Sequence, residues 1–430
     1  MLLQFILLLS LLTFIVILVN SHSAYIHIPF CRRRCYYCNF NIITIGDSNN
    51  AQEVASIEYS ELLKREIKST VLKTKDSYSV GSFTYPSASS KLETIYFGGG
   101  TPSLLSTNCI RQILDTLDNE IGIDSNAEIT LEMDPGTFDK KKLLELNHAG
   151  ITRISLGVQS FDDEILKKCG RAHTNKDTVF ALSLLNDYGF DNYSIDLISS
   201  LPYLSLETWY NTLQKAITSG CSHISVYDLQ VEDKTAFGRW YQPGVFPMPS
   251  DELSAEMYKI AVKELTNSKF EHYEVSNYAK QGKRSRHNQI YWNLQPFYGF
   301  GLGASSFLYD KRFSRPSKMN DYRDWVQMIE CEGYKNTAIL ADNNSDEDDG
   351  NNTVDILDFV MLSLRTADGL KLNQLRQKYG IEKYNKIMKS LQPYVKNNLV
   401  TIVDDKSISL TDPEGFMLSN EIISSVFAAL

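Results

Sequence analysis

The sequence predicts an α/β fold: a partial (β/α)6 barrel followed by a small winged-helix-like α+β domain. Three observations lead there. From Ala24 to Leu229, short apolar strands alternate with amphipathic helical stretches, the pattern of a parallel sheet covered by helices. Six such units can be read, too few to close an eight-stranded barrel. Cys31, Gly98, Glu132, Gln159 and Asp196 all fall at carboxyl ends of strands, where ligands bind in such sheets.

The chain opens with an almost wholly apolar run, Leu2 to Val19, and carries no charge before Arg32. Its length reaches that of a membrane-spanning helix. Val19 and Ser21 also offer small residues for leader cleavage, although the usual basic residues ahead of the run are missing. Residues 1–21 are expected to be a hydrophobic leader or anchor outside the fold. Only a few residues separate them from the first strand, so a retained anchor would press the core against the bilayer. A removable leader or a faulty gene start is favoured, with membrane association through this segment as the other option.

Residues 22–240 form the expected core. Tyr25–Pro29 reads as the first strand, followed by a cysteine-rich loop and a helix over Glu53–Leu72. Ser77–Ser90 is serine-rich and reads as a surface insertion. Leu92–Phe97 is a strand ending in Gly98-Gly99-Gly100, and a helix covers Thr107–Asn119. Glu128–Met133, Arg153–Val158, Tyr193–Leu197 and His223–Leu229 complete the strands. Residues 241–340 form an extension containing His287-Asn288-Gln289-Ile290-Tyr291-Trp292, and 341–353 are an acidic, asparagine-rich loop. In 354–430, helical stretches precede a hairpin of Leu399–Val403 and Ser407–Leu410 across Asp404-Asp405-Lys406.

Composition narrows the chemistry. A formal charge of −9 over 430 residues, without a lysine- or arginine-rich block, argues against nucleic acid as a partner. The C-terminal module is therefore read as a packing or substrate-covering domain. Seven cysteines make an odd count in a long chain, so a disulfide framework is disfavoured and a reducing compartment preferred.

Cys31, Cys35 and Cys38 stand apart from the scattered cysteines in a C-x3-C-x2-C loop. Structural zinc usually takes four protein ligands. Three thiolates instead suit a four-iron cluster with one iron left for a small molecule. A zinc site completed by His27, or three merely buried cysteines, are the alternatives.

Tyr25 through Phe40, Phe97-Gly98-Gly99-Gly100-Thr101-Pro102-Ser103, Leu131-Glu132-Met133-Asp134-Pro135, Ser155 through Phe161, Arg171, Ile195-Asp196-Leu197-Ile198 and Leu201-Pro202 carry a resemblance. In order and spacing they resemble the radical S-adenosylmethionine (SAM) family that contains oxygen-independent coproporphyrinogen oxidase and haem chaperones, over Ala24 to about Phe427. The resemblance implies a [4Fe-4S] cluster on Cys31, Cys35 and Cys38. It also implies electron transfer from the cluster to bound SAM, giving methionine and a 5′-deoxyadenosyl radical. It places Tyr25 near cluster and SAM, and Tyr37 beside the adenine. Gly99, Gly100 and Thr101 would let the methionine end approach the backbone. Glu132, Gln159, Arg171 and Asp196 would meet the carboxylate, amino and ribose groups.

Two features place the chain in the haem-chaperone branch. Oxidases of the family usually carry a further cysteine two residues after the third ligand, where this chain has Phe40. His287 to Trp292 resembles the HNxxYW motif of the chaperone branch. His287 is then a candidate axial ligand of haem iron, with tyrosine and tryptophan faces covering the macrocycle. His287 and Trp292 as core residues of a strand pairing are the other reading. The expected cofactors are the cluster, SAM and haem. The expected partners are a haem-accepting apo-protein and an electron donor such as flavodoxin or ferredoxin. Oxygen-independent coproporphyrinogen III oxidation is the alternative activity. The expected location is a reducing compartment: cytoplasm, or a mitochondrion or plastid behind the leader.

Overall fold

All six expected strands form in the computed structural model, which describes residues 22–75, 91–308, 311–332, 356–404 and 406–430. They are β1 (His22–Ile28), β2 (Leu92–Gly99), β3 (Ile123–Met133), β4 (Arg153–Gln159), β5 (Tyr193–Ser199) and β6 (His223–Asp228). They lie side by side in chain order, all parallel. Helices α1 (Asn49–Lys75), α2 (Thr107–Glu120), α3 (Lys140–His148), α4 (Asp163–Lys168), α5 (Asn175–Asp187) and α6 (Leu206–Thr218) occupy the crossovers. Most are started by a local device. Ser106, Asp139, Asp162 and Ser205 each accept a backbone N–H from the first turn, and Thr174 with Asp177 forms a capping box.

Alternation within each strand explains both the core and the site. Ile26, Ile95, Phe97, Leu131, Ile154, Leu156, Ile195, Leu197 and Ile224 are fully buried and belong to one apolar core. Their neighbours in sequence are polar and bond to each other across the strands: Tyr96 with Glu132, Ser155 with Asp196, Thr94 with Ser23. Period-two alternation thus turns an apolar face outward to the helices and lines the interior with hydroxyls, carboxylates and rings.

The sheet does not stop at six strands. Segment 241–340 supplies helices α7 (Asp251–Asn267), α8 (Arg286–Trp292) and α9 (Met319–Glu332), and strands β7 (Glu271–Glu274), β8 (Asn277–Ala279) and β9 (Tyr298–Phe300). The order becomes β9-β1-β2-β3-β4-β5-β6-β8-β7, with β9 parallel to β1 and with β8 and β7 antiparallel. The extension therefore shares the sheet and core of residues 22–240 rather than forming a layer on them. A buried ion pair, Arg315 to Glu66 at 2.8 Å, ties it to α1. Neither residue is exposed to water, so loss of one partner alone would leave an uncompensated charge.

The C-terminal residues have their own core. A helix Ile356–Leu364 and a helical segment Leu372–Lys396, broken at Gly380 (φ +82°), precede the hairpin of Val400–Val403 and Ser407–Leu410. A short strand, Leu370–Lys371, adds to the hairpin, and helices Glu414–Met417 and Ser419–Ala429 follow it. His272 on β7 anchors the module: its Nδ1 meets Asp412 Oδ2 at 2.9 Å, and its ring lies against Phe416 at 4.9 Å, tilted by 40°.

The leader, the serine-rich insertion and the acidic loop lie outside the described residues. No helix among the described residues is long and apolar enough to cross a membrane.

Candidate cofactor-binding site

The loop after β1 folds around its own arginine. Arg34 donates to the carbonyls of Cys38, Phe40 and Ile42, closing the loop on itself. Its outer side is tied down by Tyr36 N–H to Cys169 O (3.0 Å) and Phe237 N–H to Tyr36 O (2.9 Å). Cys31, Cys35 and Cys38 are free thiols of intermediate exposure and line one cavity of about 370 Å³. Burial pushes the Cys31 thiol up to about 12 and raises that of Cys38. Loading a metal centre here would therefore release protons.

No three His, Cys, Asp or Glu side chains among the described residues are grouped to hold one metal ion. Three thiols lining one cavity could instead serve a cluster whose irons each take one thiolate. His27, the candidate fourth zinc ligand, is engaged elsewhere. Its Nδ1 meets Tyr25 Oη at 3.2 Å and its Nε2 meets the Asn41 carbonyl at 2.9 Å, and it does not line the cavity.

The glycine turn after β2 forms one wall. Gly100 N–H donates to Ile28 O (2.8 Å) and Thr101 N–H to Phe30 O (2.7 Å), locking the turn to the entry of the cysteine loop. Gly99 adopts φ +114°, and a Cβ there would sit 2.5 Å from the His27 ring; one on Gly100 would sit 2.6 Å from Phe30 O. The glycines are thus demanded first by packing against β1 and the loop, a stronger reason than the close ligand approach expected from sequence. Thr101 lies over the loop, its hydroxyl 3.6 Å from Cys31 Sγ.

Glu132 closes the adjoining wall. It accepts from Tyr96 Oη (2.9 Å) and from Gly99 N–H (3.0 Å), and its burial raises the carboxyl pKa to about 7. Asp196 accepts from Ser155 Oγ (2.7 Å), and burial raises its pKa as well. Asp196 Oδ1 is buried without a partner and lines the cavity, available to a ligand hydroxyl. Arg171 is held by Asp134 (2.5 Å) and the Gly157 carbonyl (2.8 Å). Its other terminal nitrogen reaches Cys35 Sγ and Tyr37 Oη, both at 3.4 Å. Gln159 sits at an irregularity between β4 and β5 with φ +64°, which turns it into the cavity wall.

The expected residues Cys31, Tyr37, Cys35, Cys38, Gly99, Gly100, Thr101, Glu132, Gln159, Arg171 and Asp196 thus line one cavity. Tyr25 does not. It is partly buried and stacked on Tyr96 at 6.2 Å. Sequence reasoning passed over Asp134, Tyr96, Ser155 and Tyr227, which also line the cavity. Asp134 was findable, since it follows Glu132 by two residues and so shares its face of β3.

His287 lies apart from all of these. It is on α8, capped by Ser285 and packed under the amino-terminal ends of the strands, and it is fully buried. Its Nδ1 meets Thr94 Oγ1 at 2.7 Å and its Nε2 meets Tyr291 Oη at 2.8 Å. Both nitrogens are occupied, so this arrangement presents none to a haem iron. The segment is also a helix, not a strand. Arg284 and Arg286, the basic residues beside the motif, are paired with Glu271, Asp368 and Glu93.

Residues 25–216 match the Radical SAM superfamily. The chain is 37% identical to the heme chaperone HemW of Synechocystis, over 95% of this chain and 97% of that protein. Against the heme chaperone HemW of Bacillus subtilis it is 31% identical, over 95% of this chain and all of the relative. It is 32% identical to the mouse mitochondrial radical S-adenosyl methionine domain-containing protein 1, over 66% of this chain and 60% of that protein. Among solved structures, coproporphyrinogen III oxidase (HemN) from Escherichia coli superposes with a TM-score of 0.74 at 21% identity. That match covers 96% of this chain and 91% of that one, and it shows a shared fold.

Proposed function

This chain belongs to the HemW family of heme chaperones within the radical SAM superfamily, and from that premise we propose that it binds haem and passes it to an acceptor protein. The observation that carries the reading is the likeness to heme chaperones over nearly the whole length of both chains. Phe40 supports it from the site. It stands where oxidases of the wider family usually carry a further cysteine, and its ring is 63% exposed at the cavity's edge. The oxidase alternative has only the shared fold on its side.

Cys31, Cys35 and Cys38 would hold a [4Fe-4S] cluster, and the wall from Gly99 to Asp196 would hold SAM. When bound, the pair supplies one-electron chemistry that no side chain provides. The protein's own residues bind and orient. Asp196 Oδ1 offers an acceptor to ribose, Glu132 shapes the glycine turn, and Arg171 sets a positive charge beside Cys35. An electron-donor protein and a reducing compartment, cytoplasmic or within an organelle, complete the reading.

Anaerobic reconstitution tests it, with haem and coproporphyrinogen III offered side by side. The expected result is a haem absorption spectrum on the protein, followed by transfer to an apo-haemoprotein. Failure to take up haem, or production of protoporphyrinogen, would overturn it.

A further inference from the structure

The His287 helix is joined to the cavity by an unbroken run of contacts. The His287 ring stacks on Tyr96 with centroids 5.2 Å apart and planes 28° from parallel. Tyr25 stacks on the same ring at 6.2 Å and 24°. The Tyr96 hydroxyl donates to Glu132 Oε1, and Glu132 Oε2 takes the Gly99 amide. A phenol's hydroxyl can only point where its ring plane allows, so whatever fixes the Tyr96 ring fixes the aim of that bond.

His287 is itself locked at both edges. Thr94 Oγ1 donates to Ser23 Oγ (2.9 Å), which leaves it to accept from His287 Nδ1–H; Tyr291 Oη then donates to Nε2. The His287 backbone N–H is received by Glu128 Oε1 (3.1 Å) on the neighbouring strand. A phenylalanine could stack on Tyr96 but would leave the Tyr291 hydroxyl without its acceptor, which costs more in a buried site than the bond contributes when made.

We propose that His287 is a positioning residue for SAM: it holds the Tyr96 ring so that Tyr96 fixes Glu132, and Glu132 fixes the glycine turn. This rests on the reading that the cavity receives SAM, and it removes His287 from the haem site. The HNxxYW helix is then a support under the cofactor wall, contributed by a segment far along the chain.

A double-variant cycle tests it on the full-length, cluster-reconstituted protein, using His287→Ala, Tyr96→Phe and their combination. SAM affinity is read by equilibrium dialysis and haem uptake by absorbance. Hydrogen exchange over residues 97–101 is followed in the cluster-free protein. Each single variant is expected to weaken SAM about tenfold, the effect of one lost buried hydrogen bond. The double variant should be no weaker than Tyr96→Phe, because both act through one path. Exchange at the glycine turn should rise in all three, with haem uptake retained. Unchanged SAM affinity in His287→Ala, or independent losses multiplying to about a hundredfold, would overturn the proposal. Loss of haem with SAM binding intact would also overturn it. If His287→Ala does not fold, His287→Gln replaces it under the same criteria. A parent protein that binds no SAM would defeat the cofactor reading instead, an outcome distinct from a parent that binds SAM and variants that match it.

Discussion

The two ends of the barrel interior are built from similar residue types and put them to opposite uses. At the carboxyl end, three thiols are half-exposed, Asp196 keeps a buried oxygen without a partner, and Gln159 is held at positive φ. At the amino end, around His287, the polar atoms close on one another and α8 covers them. A binding end has to leave donors and acceptors open and tolerate strain, whereas a supporting end gains stability by satisfying them. The closure is not complete at that end: Arg153 and His223, the first residues of β4 and β6, keep Nε and Nδ1 without partners.

The largest way to test the contrast is at the open end. Cys31→Ser, Cys35→Ser or Cys38→Ser should reduce reconstituted iron from about four per chain to nearly none. SAM binding should be lost with it, and thermal unfolding of the apo-protein should be little changed. Iron analysis and calorimetry check this. Retention of a full cluster in any of the three would break the assignment.

Gly99→Ala comes next. The added Cβ meets the His27 ring from a left-handed backbone, and apo stability should fall by about 1–3 kcal/mol. The measurement is denaturant unfolding, with SAM affinity expected to fall alongside.

Glu132 gives a pH signature. Its carboxyl is ordinarily near 4.5 and stands at about 7 in the fold, so the folded chain holds the proton more tightly. Stability contributed by Glu132 is therefore full at low pH and declines as pH rises from about 4.5 to about 7. Glu132→Gln should remove that decline. The stability difference between variant and parent should grow by about 3 kcal/mol across the window and then level off. His287 has the opposite sense. Burial lowers its pKa to about 3, so its contribution is full above about 6.5 and is lost toward acid. A flat difference curve for Glu132→Gln would contradict the buried, proton-holding carboxylate.

The smallest effect belongs to the rim of the closed end. Arg284→Ala breaks partly exposed pairs with Glu271 and Asp368 and should cost about 1 kcal/mol or less, with haem uptake unchanged. A marked loss of haem would place a haem contact there.

Much of this was legible in the chain itself. Six apolar strands with helices between them gave the parallel order, since short connections leave few other topologies. The C-x3-C-x2-C loop, the glycine turn and the strand-end acids were visible because local spacing places each at the end of its own strand. Asp196 needed no tertiary information to be suspected, nor did Glu132.

Long-range placement was another matter. That β9 extends the sheet beyond β1 depends on pairing across most of the chain, Tyr298 with Ala24, and β8 joins the other edge through β6, Asn277 with Ser225. Tyr25 is the register partner of Tyr96, yet only Tyr96 lines the cavity, a difference that period-two reading does not reveal. His287 shows the limit most clearly. Its motif announces a histidine shortly before two aromatic residues, and a ligand and a buried support have the same residues in sequence. Only the fold, by bringing Thr94 and Tyr291 to its two nitrogens and Tyr96 to its face, decided between an open imidazole and a closed one.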